Sequence, residues 1–322
     1  LNPIDLQFTT KIPVQKSSFP IDYDSKVMLL GSCFAENMGN KFDYFKFQAT
    51  TNPFGIIFNP VSLEKLIRRV VENRTFTEND IFFHDELWHC YEVHSELSNP
   101  NKEEFLNNLN LILGTAKNQI NSLSHCIITL GTSWVYRNIE TNEIVANCHK
   151  VPQKNFTKEL LSISQTEESL KNIVSLIHSV NPNCHFIFTV SPVRHIKDGF
   201  VENTLSKAHL IAAIHKTITH HPSSITYFPA FEIMIDELRD YRFYAEDMLH
   251  PNQTAIDYIW IQFFENYISE SVFGLMNEIG SIQKGLQHRP FNPNTESHQK
   301  FLNQLDLKIK TIQNQYPFIK FC

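Results

Sequence analysis

Four runs of apolar residues stand out along the chain because each is nearly uninterrupted and stops abruptly at Gly, Ser or Pro. Val27-Met-Leu-Leu30 ends at Gly31-Ser32, and Cys126-Ile-Ile-Thr-Leu130 ends at Gly131. His185-Phe-Ile-Phe-Thr-Val190 ends at Ser191-Pro192, and Ile225-Thr-Tyr-Phe228 ends at Pro229. A strand with one wet face alternates polar and apolar residues, whereas a strand covered on both faces reads as a continuous apolar run. The four runs therefore predict buried strands of a parallel sheet. Helical periodicity fills the intervals. Ser164 and Glu167 have capping-box spacing ahead of a stripe of Leu170, Ile173, Val174, Ile177 and Val180. Further helices are predicted from about Val61 to Asn73 and from about Glu103 to Ser122. Alternating strands and helices imply βαβ units, an α/β fold and right-handed crossovers. Ligands of such sheets bind beyond the carboxyl ends of the strands, where these Gly and Ser residues lie.

Two segments break the rhythm. Thr75 to Ser98, rich in aromatics and His, predicts an irregular β-rich insertion, and Trp134 to His149 predicts a hairpin turning near Thr141-Asn-Glu143. Beyond about Ser271 the pattern is helical, with Phe301, Leu302, Leu305, Leu307, Ile309 and Ile312 on a compatible stripe. The expected organisation is a main α/β domain over residues 1–270, carrying an insertion at about 75–100, with a helical extension over 271–322 packed on it.

Composition narrows the function classes. With 28 Lys and Arg against 34 Asp and Glu, the net charge is −6 and the signs are interspersed. This argues against a nucleic-acid partner, which favours a basic face. No apolar stretch is long enough for a membrane span. Cys33, Cys90, Cys126, Cys148, Cys184 and Cys322 show no CxxC spacing and several sit in apolar runs, as free thiols of a reducing, cytoplasmic compartment do. The chain begins at Leu1 rather than Met, which leaves room for a removed leader.

The candidate chemistry begins at Ser32. A Ser at the end of a buried strand, followed by a helix, holds its hydroxyl over the sheet's carboxyl edge, beside the free N–H groups of the helix N-terminus. The plainer reading is an ordinary N-cap. A hydroxyl needs a base to become a nucleophile, and Asp247-Met-Leu-His250-Pro251-Asn252 offers one. Asp and His three residues apart at a helix entrance can meet, the carboxylate fixing the imidazole tautomer. DxxH alone also describes many surface pairs.

The combination carries a resemblance. Gly31-Ser-Cys-Phe-Ala35 resembles the signature of the GSCFA-domain family, a branch of the SGNH (GDSL-like) hydrolases. Asn52-Pro-Phe-Gly55, Gly131-Thr-Ser-Trp134, Ser191-Pro-Val-Arg-His195, Asp240-Tyr-Arg-Phe-Tyr244 and Asp247 to Pro251 are similar to further segments of that family, in order. The resemblance implies a flavodoxin-like three-layer α/β/α fold and a serine esterase or acyl transferase. Ser32 would be the nucleophile, His250 the base and Asp247 its orienting partner. The Ser32 and Gly55 N–H groups and Ser133 would form the oxyanion hole. Two positions depart from the superfamily pattern: Gly31 stands where Asp is usual, and Ser133 where Asn is usual.

Asn52, Trp134, His149, Arg194 and His195 are candidates for contacting substrate. The loop with Arg194, His195, Lys197, Asp198 and the later Lys207 suits an anionic group or an internal Arg–Asp pair. His149 and His195 compete for the role of base. His84, His89, Cys90 and His94, with Asp85 and Glu86, have no recognised zinc spacing, and Cys148 beside His149 alternates to the opposite face of a strand. No cofactor or metal is expected. The expected substrate is a small-molecule or glycan O-acyl ester, and the alternative is a carbohydrate-binding protein with a degenerate pocket.

Overall fold

The computed structural model describes residues 9–221 and 223–321. Its strands are β1 (Lys26–Gly31), β2 (Gln48–Thr51), β3 (Phe82–His84), β4 (Leu87–His89), β5 (His125–Leu130), β6 (Trp134–Asn138), β7 (Ile144–Val145), β8 (Phe156–Leu160), β9 (His185–Val190) and β10 (Ile225–Tyr227). The helices are α1 (Cys33–Tyr44), α2 (Pro60–Val71), α3 (Lys102–Ile120), α4 (Ile163–Val180), α5 (Phe200–His220), α6 (Ala230–Glu232, continuing as a π-helical turn to Leu238), α7 (Gln253–Tyr267), α8 (Phe273–Gln287) and α9 (Glu296–Gln315).

All four predicted strands enter one parallel sheet of order β10–β9–β5–β1–β2. Taken in chain order, its five strands stand 2-1-3-4-5, the flavodoxin-like order. The direction of winding reverses between β1 and β5, so the crevice for a ligand opens between Ser32 and Gly131. Alternate residues of each strand face opposite layers. Met28, Leu30, Cys126, Ile128, Phe186 and Phe188 pack with α2–α5. Val27, Leu29, Ile127 and Ile187 pack with α1, α6 and α7. Met276, Ile279, Ile282, Leu305 and Ile312 of α8 and α9 join the second core, and Gln283 Nε2 donates to the carbonyl of Tyr44.

Local expectations shift in three places. The α4 capping box is Ser162 with Gln165, not Ser164 with Glu167. Both pairs have the right spacing, but the helix starts a half-turn earlier, leaving Glu167 to bridge Lys171 and Lys216. Val180 ends α4 at 40% exposure instead of completing the buried stripe. The hairpin around residue 141 gains a third strand, giving the antiparallel order β7–β6–β8.

The insertion at 75–98 holds the short β3–β4 hairpin as its only named strands, flanked by 3-10 turns at Glu78–Asp80 and Ser95–Leu97. It is anchored on α2 by buried Arg69, whose guanidinium pairs with Glu92 at 2.6 Å and Asp80 at 2.6 Å and donates to the carbonyl of Thr75.

Candidate active site

Ser32 closes β1 and caps α1. Its Oγ accepts the Phe34 N–H at 3.3 Å, and the residue is almost fully buried. The backbone ahead of it explains the missing Asp. Gly31 has φ +129°, and a Cβ there would collide with the Thr129 carbonyl of β5. Only Gly fits where β1 meets its neighbour before the turn into α1.

Asn52 (φ +41°) ties the next loop to this turn, its Oδ1 accepting the Gly31 N–H at 2.9 Å and its amide reaching Glu36. That carboxamide is committed to the fold, contrary to the expectation of substrate contact. Gly55 follows at φ +75°, with His94 packed where a side chain would stand.

The expected oxyanion donors are already engaged. Ser32 N donates to Thr129 O at 3.0 Å and Gly55 N to Asn52 O at 2.7 Å. Ser133 is fully buried; its Oγ donates to the Ser206 carbonyl at 2.9 Å, and its N–H to Ser206 Oγ at 2.7 Å. A short hydroxyl on this loop reaches the α5 backbone, whereas a donor to substrate must point the other way. Ser133 is thus a link between the β5 loop and α5. Ser133→Ala should cost about 1 kcal/mol of stability, the usual worth of one such bond, and leave kcat within about twofold. A donor in the hole would instead cost roughly a hundredfold to a thousandfold in kcat. Ester kinetics beside urea unfolding separate the two.

Asp247 and His250 meet as expected. His250 Nδ1 and Asp247 Oδ2 are 2.6 Å apart, while Asp247 Oδ1 accepts the N–H groups of Leu249 and His250 at 2.9 and 3.0 Å. The two backbone N–H groups, then the imidazole, hold the Asp247 carboxyl down at about 2. The pair sits in a tight loop closed by Ala245 N to His250 O and by Met248 at φ +59°. Both side chains are about half exposed, and Ser32 Oγ and His250 share no hydrogen bond. Arg194 carries this loop: its N–H donates to Leu249 O at 3.1 Å, and its guanidinium lies 4.1 Å from the Tyr244 ring centre. Arg194 is therefore a support for the His250 loop.

His195 lies over the crevice. Its Nε2 is 3.2 Å from the Cβ position of Gly131 and has no hydrogen-bond partner, and its ring stacks on Phe58. Burial, then the nearby charges of Lys207 and His250, push its pKa to about 3, so it is neutral at ordinary pH. His149 is buried against the insertion, with Nε2 2.7 Å from the Cys90 carbonyl and its ring packed near that of His89. His89 is engaged with Ser98 and the His84 carbonyl. Among the described residues no group of three His, Cys, Asp or Glu is arranged for a metal. Burial raises the Cys33 thiol, and Cys148 to about 11, so both stay protonated. The five described cysteines are free; Cys322 lies outside the described residues.

Sequence reasoning missed Asn203 and Ser206 and grouped Lys207 with a loop suited to an anion, whereas Lys207 is buried on one polar face of α5 with the other two and donates to protein carbonyls. Asn203, Ser206 and Lys207 are buried where an amphipathic helix normally places apolar residues. Asn203 Oδ1 accepts the His195 N–H, Ser206 holds Ser133, and Lys207 Nζ donates to the carbonyls of Gly131 (2.7 Å) and Ser191 (2.8 Å). Together they fix the loops after β5 and β9. Polar residues at i, i+3 and i+4 ahead of apolar Leu210 and Ala213 were the available signal.

Complete burial lowers the Lys207 pKa from 10.5 to about 7. The unfolded lysine keeps its proton up to about 10.5, so between these values the unfolded state binds more protons. The cost of burying the charge is then full below about pH 7 and relieved as pH rises. Lys207→Met leaves two carbonyls unpaired and is less stable. Its deficit should widen from about pH 7 to pH 9.5, by at most about 1.4 kcal/mol per pH unit. Urea unfolding at several pH values measures it; a constant deficit contradicts the assignment.

A flavodoxin-like α/β protein with a helix-capping Ser at its switch point and an Asp–His pair on an adjoining loop is the class that these features define. The chain belongs to the GSCFA family, whose profile matches residues 26–263; a second, the GSCFA domain protein C-terminal domain, matches 279–321. No curated protein matches it. Among solved structures it is similar to an acetyl xylan esterase, Est2A, from the rumen bacterium Butyrivibrio proteoclasticus. That similarity has 12% identity and a TM-score of 0.41, over 84% of this chain and 66% of that one. No helix of the described residues is long and apolar enough to cross a membrane.

Proposed function

We propose that the protein is a serine-dependent ester hydrolase or acyl transferase of SGNH type, acting on O-acyl esters such as those of carbohydrates. The observation that carries this reading is the Asp247–His250 pair, 2.6 Å apart, on a loop bonded to the segment that follows β9. Asp247 holds the proton of His250 on Nδ1 and leaves Nε2 as the base. Ser32 Oγ attacks the ester carbonyl carbon while Nε2 takes its proton; the proton then passes to the leaving alcohol, giving an acyl-Ser32. Water or a second alcohol resolves that intermediate by the reverse proton route. The Cys33 N–H, in the first turn of α1, has no backbone acceptor and is the donor proposed for the oxyanion. Release of p-nitrophenol from p-nitrophenyl acetate by the purified chain tests the reading.

The second reading is a carbohydrate-binding protein with a disabled pocket. It is favoured by the engagement of the Ser32, Gly55 and Ser133 donors with protein acceptors. It requires glycan binding without turnover.

A further inference from the structure

A cavity of about 370 Å³ opens beside the candidate site, within the usual size range of small-molecule pockets. Two of its lining residues also border the crevice. Phe58 lines it and stacks on His195, and His94 lines it and covers Gly55. One wall is the β6–β8 sheet, presenting Trp134, Tyr136 and Phe156, with the indole fixed by Nε1 donating to the Glu202 carbonyl at 3.3 Å. The charge of this cavity departs from that of the chain. The protein carries −6 overall, yet no Asp or Glu lines the cavity, while Lys150 and Lys197 do. Neither lysine forms an ion pair among the described residues. The adjacent Lys158, 5.5 Å from the Trp134 ring centre, is by contrast neutralised by Asp198.

We infer that this cavity binds an anionic sugar residue of the substrate, its apolar face against Trp134 and its acid group at Lys150 and Lys197. Aromatic rings present flat apolar area to a sugar's C–H face, and two ammonium groups without carboxylates favour an anion over a neutral hydroxymethyl group. Gln153 and the Asn147 amide nitrogen, also at the cavity, are suited to hydroxyl groups. The inference rests on the proposed esterase reading and deepens it, because the cavity shares Phe58 and His94 with the surroundings of Gly131 and Gly55.

The test is a calorimetric titration of full-length Ser32→Ala protein, in which binding does not depend on turnover. The probes are methyl β-glucuronide, methyl β-glucoside and inorganic phosphate. The glucuronide is expected to bind at least about tenfold more tightly than the glucoside or phosphate. That preference should disappear in the Lys150→Ala/Lys197→Ala variant and weaken with salt, while circular dichroism shows an intact fold. Trp134→Leu should weaken both sugars and leave phosphate unchanged. Equal affinity for the two sugars, phosphate binding as tightly as the glucuronide, or an unchanged preference in the double lysine variant overturns the inference. Glucuronide binding by a wild-type protein that turns over no ester overturns the esterase reading alone.

Discussion

Ser32→Ala is expected to lower ester turnover by roughly 10⁴- to 10⁶-fold, the loss seen when a nucleophile acting as a unit with its base is removed. The hydroxyl is the only atom exchanged, and it supplies the bond that carries the acyl group between the two half-reactions. Its structural duty is small: Oγ accepts one N–H, from Phe34, at 3.3 Å. Losing that cap costs about 1 kcal/mol, so the variant should remain folded and retain ligand binding. Kinetics on a chromogenic ester, with thermal unfolding of the same sample, separate catalysis from folding. A variant that keeps even a tenth of wild-type kcat removes Ser32 from the reaction.

Asp247→Asn should lower kcat by about 10²- to 10⁴-fold with little change in KM, as when the wrong imidazole tautomer is enforced. The carbonyl oxygen of an Asn can keep the two backbone bonds now made by Oδ1, from Leu249 and His250. Its amide then faces Nδ1 as a donor and drives the proton to Nε2, where the base is needed. Because the Asp247 pKa lies near 2, the carboxylate stays charged throughout an assay between about pH 4 and 9. Any acid limb of the rate profile in that range therefore belongs to another group. A kcat within twofold of wild type contradicts the role of the pair.

The sheet was legible because parallel strands buried on both faces leave continuous apolar runs, and three of the four, β1, β5 and β9, ended at the loops that build the site. β2 was not, since Gln48-Ala-Thr-Thr51 is an edge strand, half-buried and without apolar signal. β8 was hidden for a similar reason: Phe156-Thr-Lys-Glu-Leu160 is extended by pairing with β6, which local pattern does not encode. Within the site, Asp247 and His250 are near in sequence, and their spacing at a helix entrance allowed them to meet, as they do. Ser133 misled because its acceptor, the Ser206 carbonyl, lies on a helix 73 residues away. Arg194 likewise read as an anion contact, while its partners, Leu249, Tyr241 and Tyr244, are supplied by a distant loop. The polar face of α5 makes sense only with the two loops it holds.

The most direct test is reaction of the folded protein with a fluorophosphonate, followed by mass analysis of the tryptic peptides. The account predicts one adduct, on Ser32 within the peptide Val27–Lys41. It should be absent from Ser32→Ala and slowed at least about a hundredfold in His250→Ala, since the probe reacts with an activated hydroxyl. No adduct on Ser32, or labelling of His250→Ala at the wild-type rate, would contradict a nucleophile activated by the Asp247–His250 pair.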